Sequence, residues 1–479
     1  MAQSSQPSAS MCHGSVPEAK AEAMARWAHQ RLEWPPPDEA HLSLELRCGD
    51  GFGVHAVARQ GFEPGDLVLS ERALLNIPEV PAQLRQELQR QFGQLASFLE
   101  PAVAVDWSRV DEDVRQAALS LFFIHPLFSS QDSKMVLKNT SACEALLGFY
   151  SPLQEHWSSV RELMNFLHVV DLNIHRDDES SHNAGFTGIF VLGSKFSHSC
   201  SPNCSWSFSS KGRLQYRALL KIAPGELLTF SYIGNGMNLI MSAIERRRRL
   251  GSLWFVCACG RCAGPDLARQ VRCPRCGACR CVPAYEDCGM PDWAGDRPLK
   301  DLIPDARTWR CAACGASVPA AELPLREEAE MAELVPEAMQ GGPQRAPLDA
   351  ATLAGLREGA ARSLGTSHWT YVLATFAWLQ KALIMLRGEP LIDFSEADLH
   401  DAMVHVARWF EHCIPNNVEQ RISALFLALR HARNLGESLD VWGFDSAEPL
   451  GPDHSVIPRL EEHGWRIRGG PVAGPEDPR

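Results

Sequence analysis

The chain has 479 residues, with 46 Lys and Arg against 58 Asp and Glu and a formal net charge of −12. Apolar residues make up 45% and charged residues 22%, a globular balance that excludes a disordered or fibrous chain and, at this length, allows about three domains. The acidic total argues against direct, sequence-specific nucleic-acid binding, because phosphate contacts need a positive face.

Residues 1–40 read as a polar N-terminal tail with one short helix, Glu18 to Glu33, stopped by Trp34-Pro35-Pro36-Pro37. No charged stretch followed by an apolar run opens the chain, so no secretory signal is read. The longest charge-free apolar stretch, His368 to Gln380, is too short to span a bilayer, so no membrane partner is expected. The expected location is cytoplasmic and/or nuclear, where thiols stay reduced and CxxC pairs read as metal sites.

From residue 41 to 77 the pattern is strand-like: LSLEL, the turn CGDGFG, VHAVA, the turn FEPGD, then Leu67-Val68-Leu69. Residues 78–182 read as a helical insertion, with apolar positions three and four apart. Strands return over 183–256 in FTGIFVLG, CSWSFS, LQYRALL and LLTFSYI. Glu245 to Leu253 reads as a helix, its Arg246–Arg249 run expected on a solvated face. The segments 257–264 and 265–320 carry the cysteines. Residues 321–347 form an acidic helical linker and 348–440 a helical domain, followed by a Gly/Pro-rich tail over 441–479. Four helical periods are expected there, at 350–363, 368–387, 395–413 and 417–435. Trp369, Phe376, Trp378, Leu383 and Leu386 are spaced to bury one helix face.

Ten of the 16 cysteines lie between Cys257 and Cys314. Cys257-Ala258-Cys259-x-x-Cys262 is too tight for three buried hydrophobes and well suited to wrapping a tetrahedral ion. It leaves a fourth ligand to be found, with Cys200 and Cys204 the nearest candidates. A second set is Cys273-x-x-Cys276 and Cys311-x-x-Cys314, separated by 34 residues. Each pair is followed by glycine (Gly277, Gly315), the turn of a zinc knuckle in which backbone amides reach the sulfurs. The long spacer implies a zinc-ribbon-like module with an insertion. Cys279 and Cys281 are competing ligands, and Cys288 has no assigned role. Cys12, Cys48, Cys143 and Cys413 read as ordinary thiols.

Three further segments matter together: Gly51-Phe52-Gly53 on a turn between strands, Ser197-His198-Ser199-Cys200-Ser201-Pro202-Asn203, and Gly225-Glu226-Leu227-Leu228-Thr229-Phe230-Ser231-Tyr232. In this order, followed by the CxCxxC, they resemble the SET-domain protein-lysine methyltransferases, and within them the SET-and-MYND branch. The resemblance is close over about residues 46–262 and looser over the helical end. It implies an α+β fold: a SET-type β-strand domain with a helical insertion and a knot-like cofactor site, a post-SET zinc, a zinc-ribbon-like module and a C-terminal tetratricopeptide-like helical domain. The branch's MYND module, with seven cysteines and one histidine, has no counterpart, since residues 78–182 contain only Cys143.

By that resemblance Tyr232 is the catalytic tyrosine. Phe52, Gly53, Asn183, Phe186, Ser197, His198 and Phe255 contact S-adenosylmethionine, with Ser197 standing where the family usually has Asn. Cys200 joins Cys257, Cys259 and Cys262 on one zinc, and the second cysteine set holds another, giving about two zincs per chain. Four thiolates and one dication leave −2 per site, so two sites move the formal total from −12 to −16. The implied partner is a protein with an accessible lysine, histone tails among the candidates. A rival reading is a catalytically weak or inactive SET and zinc scaffold for protein interaction. A third, a zinc-ribbon transcription factor, is disfavoured by the acidic total.

Overall fold

The computed structural model describes residues 43–48, 54–121, 134–157, 159–176, 186–209, 212–234, 237–251, 253, 255–285, 303–340, 349–385 and 396–414. Expectations for Cys12, Phe52, Gly53, Asn183, Cys288, Leu386 and the helix at 417–435 lie outside these residues, as do the side chains of Cys48 and Leu383. The chain divides into two compact units.

The first unit runs to Ser197 and resumes over Asn203–Phe230. Its strands are β1 (Leu44–Cys48), β2 (Val54–Ala58), β3 (Leu67–Glu71), β4 (Leu75–Asn76), β5 (Ile174–Arg176) and β6 (Thr187–Ile189), followed by the Ser197 end of β7 (Ser197–His198). Then come β8 (Cys204–Phe208), β9 (Leu214–Ala218) and β10 (Thr229–Phe230). β1 pairs antiparallel with β2, β3-β9-β8 make one antiparallel sheet, and β4-β6-β5 make another. β9 alternates Leu214, Tyr216 and Ala218 inward, as a half-buried strand should. The core these sheets enclose includes Val68, Leu69, Phe190, Phe196, Leu214 and Tyr216.

The insertion between β4 and β5 is helical as expected: α1 (Ala82–Phe92), α2 (Ala96–Ala104), α3 (Glu112–Ser120), α4 (Lys134–Phe149) and α5 (Val160–Asn173). α5 opens on a capping signal, Ser159 three residues before Glu162, and the Ser159 hydroxyl accepts the Glu162 N–H at 3.2 Å. Its Leu163, Phe166, Leu167 and Val170 are buried on one stripe. Glu71, at the end of β3, is the hub of the unit. Its carboxylate accepts the N–H groups of Val191, Leu192 and Gly193 at 2.8, 3.0 and 2.9 Å. Burial pushes its pKa up to about 7, against those three donors and the charge of Lys195.

The second unit holds His198–Pro202 and the chain from Ser231. It contains α6 (Ala243–Gly251), the short α7 (Gly260–Ala263) and the three-stranded antiparallel ribbon β11 (Cys281–Pro283), β12 (Thr308–Cys311) and β13 (Ser317–Pro319). α8 (Leu325–Gln340), α9 (Ala350–Ser363), α10 (Trp369–Met385) and α11 (Glu396–Cys413) follow. One expectation is corrected here. Residues 369–379 of α10 are buried on every face rather than on one stripe. Thr370 and Thr375 interrupt its apolar pattern but are satisfied internally. The Thr375 hydroxyl donates to the Tyr371 carbonyl at 2.7 Å, and Thr370 Oγ1 lies 2.8 Å from His368 Nδ1. Arg269 joins the ribbon to the helices. Its guanidinium meets Asp305 and Glu328 and lies 4.9 Å over the Trp309 ring, and the Glu328 carboxylate reaches His368 Nε2 at 3.1 Å.

Candidate active site and metal centres

Two groups of four cysteines converge among the described residues: Cys200, Cys257, Cys259 and Cys262, and Cys273, Cys276, Cys311 and Cys314. Within each group all four sulfurs lie within 4.8 Å of one another. A tetrahedral zinc with Zn–S of about 2.3 Å sets its sulfurs about 3.8 Å apart. The measured pairs are 3.9 Å for Cys200–Cys257, 3.5 Å for Cys200–Cys262, 3.9 Å for Cys273–Cys314 and 3.7 Å for Cys276–Cys311. Both groups fit a zinc, and neither fits a disulfide, whose sulfurs lie about 2.05 Å apart. Cys200 is the sulfur that converges with the CxCxxC. Cys204 is buried in β8 of the other unit, and burial pushes its thiol pKa up.

The knuckle geometry in the ribbon follows the glycines. Gly277 and Gly315 adopt φ of +76° and +72°, and their N–H groups donate to the Cys273 and Cys311 carbonyls, both at 2.9 Å. The Arg275 N–H reaches Cys273 Sγ at 3.4 Å. Cys281, opposite Cys311 in the ribbon register, and Cys279 stand outside both tetrads. Cys143 and Cys413 are buried thiols.

The first tetrad adjoins three rings. His198, Tyr232 and Phe255 have ring centroids 5.3, 5.7 and 6.1 Å apart, pair by pair. His198 links them to the metal site. Its Nδ1 accepts the Tyr232 backbone N–H at 3.0 Å, so the ring proton sits on Nε2, which donates to Cys200 Sγ at 3.3 Å. Burial holds His198 down to about 4, assisted by Arg246 and opposed by Cys262, so the ring is neutral. With both nitrogens engaged, and the Ser199 hydroxyl accepting the Ser201 N–H, no Ser–His nucleophile is built here. Tyr232 retains 38% exposure, whereas Tyr216 is fully buried with its hydroxyl bonded to His175 at 2.7 Å. A phenol ordinarily titrates near 10, so the Tyr232 hydroxyl keeps its proton at neutral pH.

Of the other expected cofactor contacts, Phe186 packs edge-on against Phe208 at 4.8 Å in the first unit. Ser197 is 8% exposed, and its N–H donates to the Leu228 carbonyl at 3.0 Å. Asn203, the last residue of the SHSCSPN motif and one to which sequence reasoning assigns no role, ties the segment leading to Tyr232. Its Nδ2 donates to the Leu227 carbonyl at 2.8 Å, and its Oδ1 accepts the Thr229 N–H at 2.8 Å.

The arginine run is the clearest departure from expectation. Arg246 is completely buried, and its Nη2 donates to Cys262 Sγ at 3.4 Å. Arg247 donates to the Cys257 carbonyl at 3.2 Å and the Cys262 carbonyl at 2.9 Å. Arg248 is exposed and pairs with Glu245 at 2.6 Å. The signal was present in helical spacing: Ala243, Arg246 and Leu250 share one face of α6. Four thiols this close cannot all ionise without a cation. The hydrogen bonds of Cys200 and Cys257 hold Cys259 and Cys262 down, while Cys200 and Cys257 are themselves pushed up. A dication removes that conflict.

Residues 51–233 match the family model described as SET domain. The chain carries a SET domain. Among curated proteins it is 38% identical over 80 residues to mouse histone-lysine N-methyltransferase SMYD3, covering 16% of this chain and 18% of that protein. It is 36% identical over 102 residues to mouse protein-lysine N-methyltransferase SMYD4 (20% and 12%), and 31% identical over 127 residues to mouse histone-lysine N-methyltransferase Smyd1 (24% and 25%). The matched stretches thus span a quarter or less of these relatives. Among solved structures, the SET domain of LSMT bound to lysine and AdoHcy aligns over 94% of this chain and 96% of its own at 11% identity. Its TM-score of 0.33 is too low to carry an argument. No described helix is long and apolar enough to cross a membrane.

Proposed function

We propose that the chain is an S-adenosylmethionine-dependent protein-lysine N-methyltransferase. The observation that carries this reading is Tyr232. Its backbone is pinned through His198 to a cysteine tetrad, yet its ring remains accessible beside Phe255. The SET-domain match and the methyltransferase relatives support the same chemistry.

When bound, S-adenosylmethionine supplies an electrophilic methyl group on a sulfonium. The protein's task is alignment, since the displacement is in line. A lysine attacks only as the neutral amine, so its entry beside Tyr232 and Phe255 must strip water from it and lower its pKa. The protonated Tyr232 hydroxyl orients that amine. His198 keeps Tyr232 in register, and Cys200, Cys257, Cys259 and Cys262 would hold a zinc that would fix the Cys200 sulfur on which His198 Nε2 rests. Phe52, Gly53, Asn183, Phe186, Ser197, His198 and Phe255 are the proposed cofactor contacts. Ser197 offers one hydroxyl where an Asn offers a donor and an acceptor. The proposed substrates are lysine-rich protein segments, histone tails among them, which the net charge of −12 attracts. The proposed location is the cytoplasm, the nucleus or both.

Transfer of labelled methyl groups to a lysine-peptide panel, histone tails included, tests the reading. The chain should label peptides, and Tyr232→Phe should remove most turnover while leaving circular dichroism and zinc content unchanged. Absence of S-adenosylmethionine binding by calorimetry would favour the scaffold reading. Unchanged turnover in Tyr232→Phe would reject the assignment of that residue.

A further inference from the structure

The two tetrads have the same ligands but opposite surroundings. In the ribbon, Cys276 and Cys314 are exposed, so water solvates the charge of a metal-bound thiolate cluster. In the other tetrad Cys200 and Cys262 are fully buried, Cys257 is 3% exposed, and Cys259 is half-buried. Four thiolates with one dication carry −2, and burying such a charge uncompensated is prohibitive.

Compensation lies in the arginines. Arg246 donates through Nη2 to Cys262 Sγ and through Nη1 to the Met241 carbonyl, and its buried Nε has no hydrogen-bond partner among the described residues. Arg261 donates to the Cys200 carbonyl at 3.2 Å, and its Nη2 is likewise buried without a partner. Each guanidinium thus leaves one buried N–H without a hydrogen bond while other N–H groups are engaged, a cost that adjacent negative charge offsets. Arg246 Nη2 on Cys262 Sγ and Arg261 on the Cys200 carbonyl place both cations directly against the tetrad. Asp266 is fixed, accepting the Ala243 N–H at 2.6 Å. With zinc present, the cluster would carry −2 against the two buried guanidiniums of Arg246 and Arg261, while Asp266 adds one negative charge and Arg247, bonded to the Cys257 and Cys262 carbonyls, one positive.

We propose that Arg246 and Arg261 form a neutralising shell that makes the buried zinc tetrathiolate a near-neutral unit, with Arg246 as the positioning residue that fixes the Cys262 sulfur. This rests on the tetrad binding a metal and not on methyl transfer, so the two readings fail separately.

The full chain loaded with cadmium-113 tests it. Two tetrathiolate resonances are expected, and chelator competition reads the affinity of each site. Arg246→Met should move one resonance and weaken that site by about 10–100-fold, leaving the ribbon site unchanged. Arg246→Lys keeps the charge without the fork. It should retain most of the affinity but still move the same resonance. Unmoved resonances with unchanged affinity in Arg246→Met overturn the proposal. Equal weakening of both sites also overturns it, since that marks general unfolding. Should the Met variant fail to fold, Arg246→Lys alone decides, and an unmoved resonance there is the refuting result.

Discussion

Asn203 shows how one buried side chain holds the segment that ends at Tyr232. It is 6% exposed, and its amide makes four contacts. Nδ2 donates to the Leu227 carbonyl at 2.8 Å and to the Glu226 carboxylate at 3.2 Å. Oδ1 accepts from the Thr229 N–H at 2.8 Å and the Thr229 hydroxyl at 3.0 Å. Truncation to alanine strands the Thr229 N–H and the Leu227 carbonyl. At about 1–3 kcal/mol for each of the two unsatisfied groups, Asn203→Ala should cost about 2–6 kcal/mol. Asn203→Asp separates the two halves of the network. Both acceptor bonds survive, but a carboxylate oxygen now faces the Leu227 carbonyl and the Glu226 carboxylate. At pH 7 the Asp variant should be destabilised about as much as the Ala variant. Its aspartate pKa is raised in the folded state by that repulsion. The penalty is therefore absent below the unfolded pKa, near 4, and grows as pH rises toward the folded value. Moving from pH 7 to pH 5 should recover part of the Asp loss relative to wild type and none of the Ala loss. Urea denaturation at both pH values measures this, with amide exchange at Thr229 as the local readout. An alanine variant within about 1 kcal/mol of wild type, or an Asp variant with no pH-dependent recovery, would refute the reasoning.

Arg269→Met should destabilise the second unit by about 3–5 kcal/mol, because it leaves Glu328 charged and buried; chemical denaturation reads this directly. Burial opposes the Glu328 charge, but Arg269 and His368 outweigh it and hold its pKa well below the usual carboxylate value of 4.5. The stability it contributes is thus full above about pH 4.5 and lost as pH falls further, which a thermal-melt series across pH 7 to 3 should show. Zinc analysis should give about two ions per chain, and strong chelation should abolish amide protection in β11–β13 first; a value near zero in folded protein would remove both metal assignments. Gly365→Ala should cost about 1–3 kcal/mol, since Gly365 has φ of +104° and an added Cβ would meet Cys279 Sγ at 2.7 Å. Gly93→Ala, at φ of +54° with open space around it, should cost less.

Much of the fold and of the site is legible in the amino-acid sequence, and the reason is local. The helical insertion shows itself through apolar spacing in segments such as α1 and α5, and the β8–β9 hairpin through alternation and a Gly-containing turn. The knuckles announce themselves through CxxC followed by glycine, because only glycine suits φ near +75° there. Polarity taken one residue at a time is what misleads. Arg246 looks like surface until its place on the Ala243–Leu250 face is combined with the charge of the tetrad below it. Thr370 and Thr375 look like solvent positions until their hydroxyls find partners within reach on the chain. Asn203 belongs to a recognisable motif, but its partners at Leu227 and Thr229 lie more than twenty residues away, and no local period reveals that pairing. Which of Cys200 and Cys204 meets the CxCxxC is likewise a question of which unit each enters, and it is Cys200 that joins the sulfur cluster.

The contrast between the tetrads bears on what each metal is for. The ribbon's tetrad sits at exposed knuckles, and its loss should be felt by the ribbon, which buries Trp309 and Val318 around it. The buried tetrad is wired differently. Cys200 accepts from His198, His198 accepts from the Tyr232 N–H, and Cys262 accepts from Arg246. Each link fixes a group that could otherwise turn: the tautomer of a histidine, the backbone of a tyrosine, the head of an arginine. Removing that metal would release the thiolates to reprotonate, take the acceptor from His198 Nε2 and leave two guanidiniums buried without their counter-charge. The first consequence should therefore appear at Tyr232, before the fold itself gives way. A metal that packs only a ribbon has no such route to the ring cluster, so the two sites should separate cleanly in any experiment that empties them one at a time.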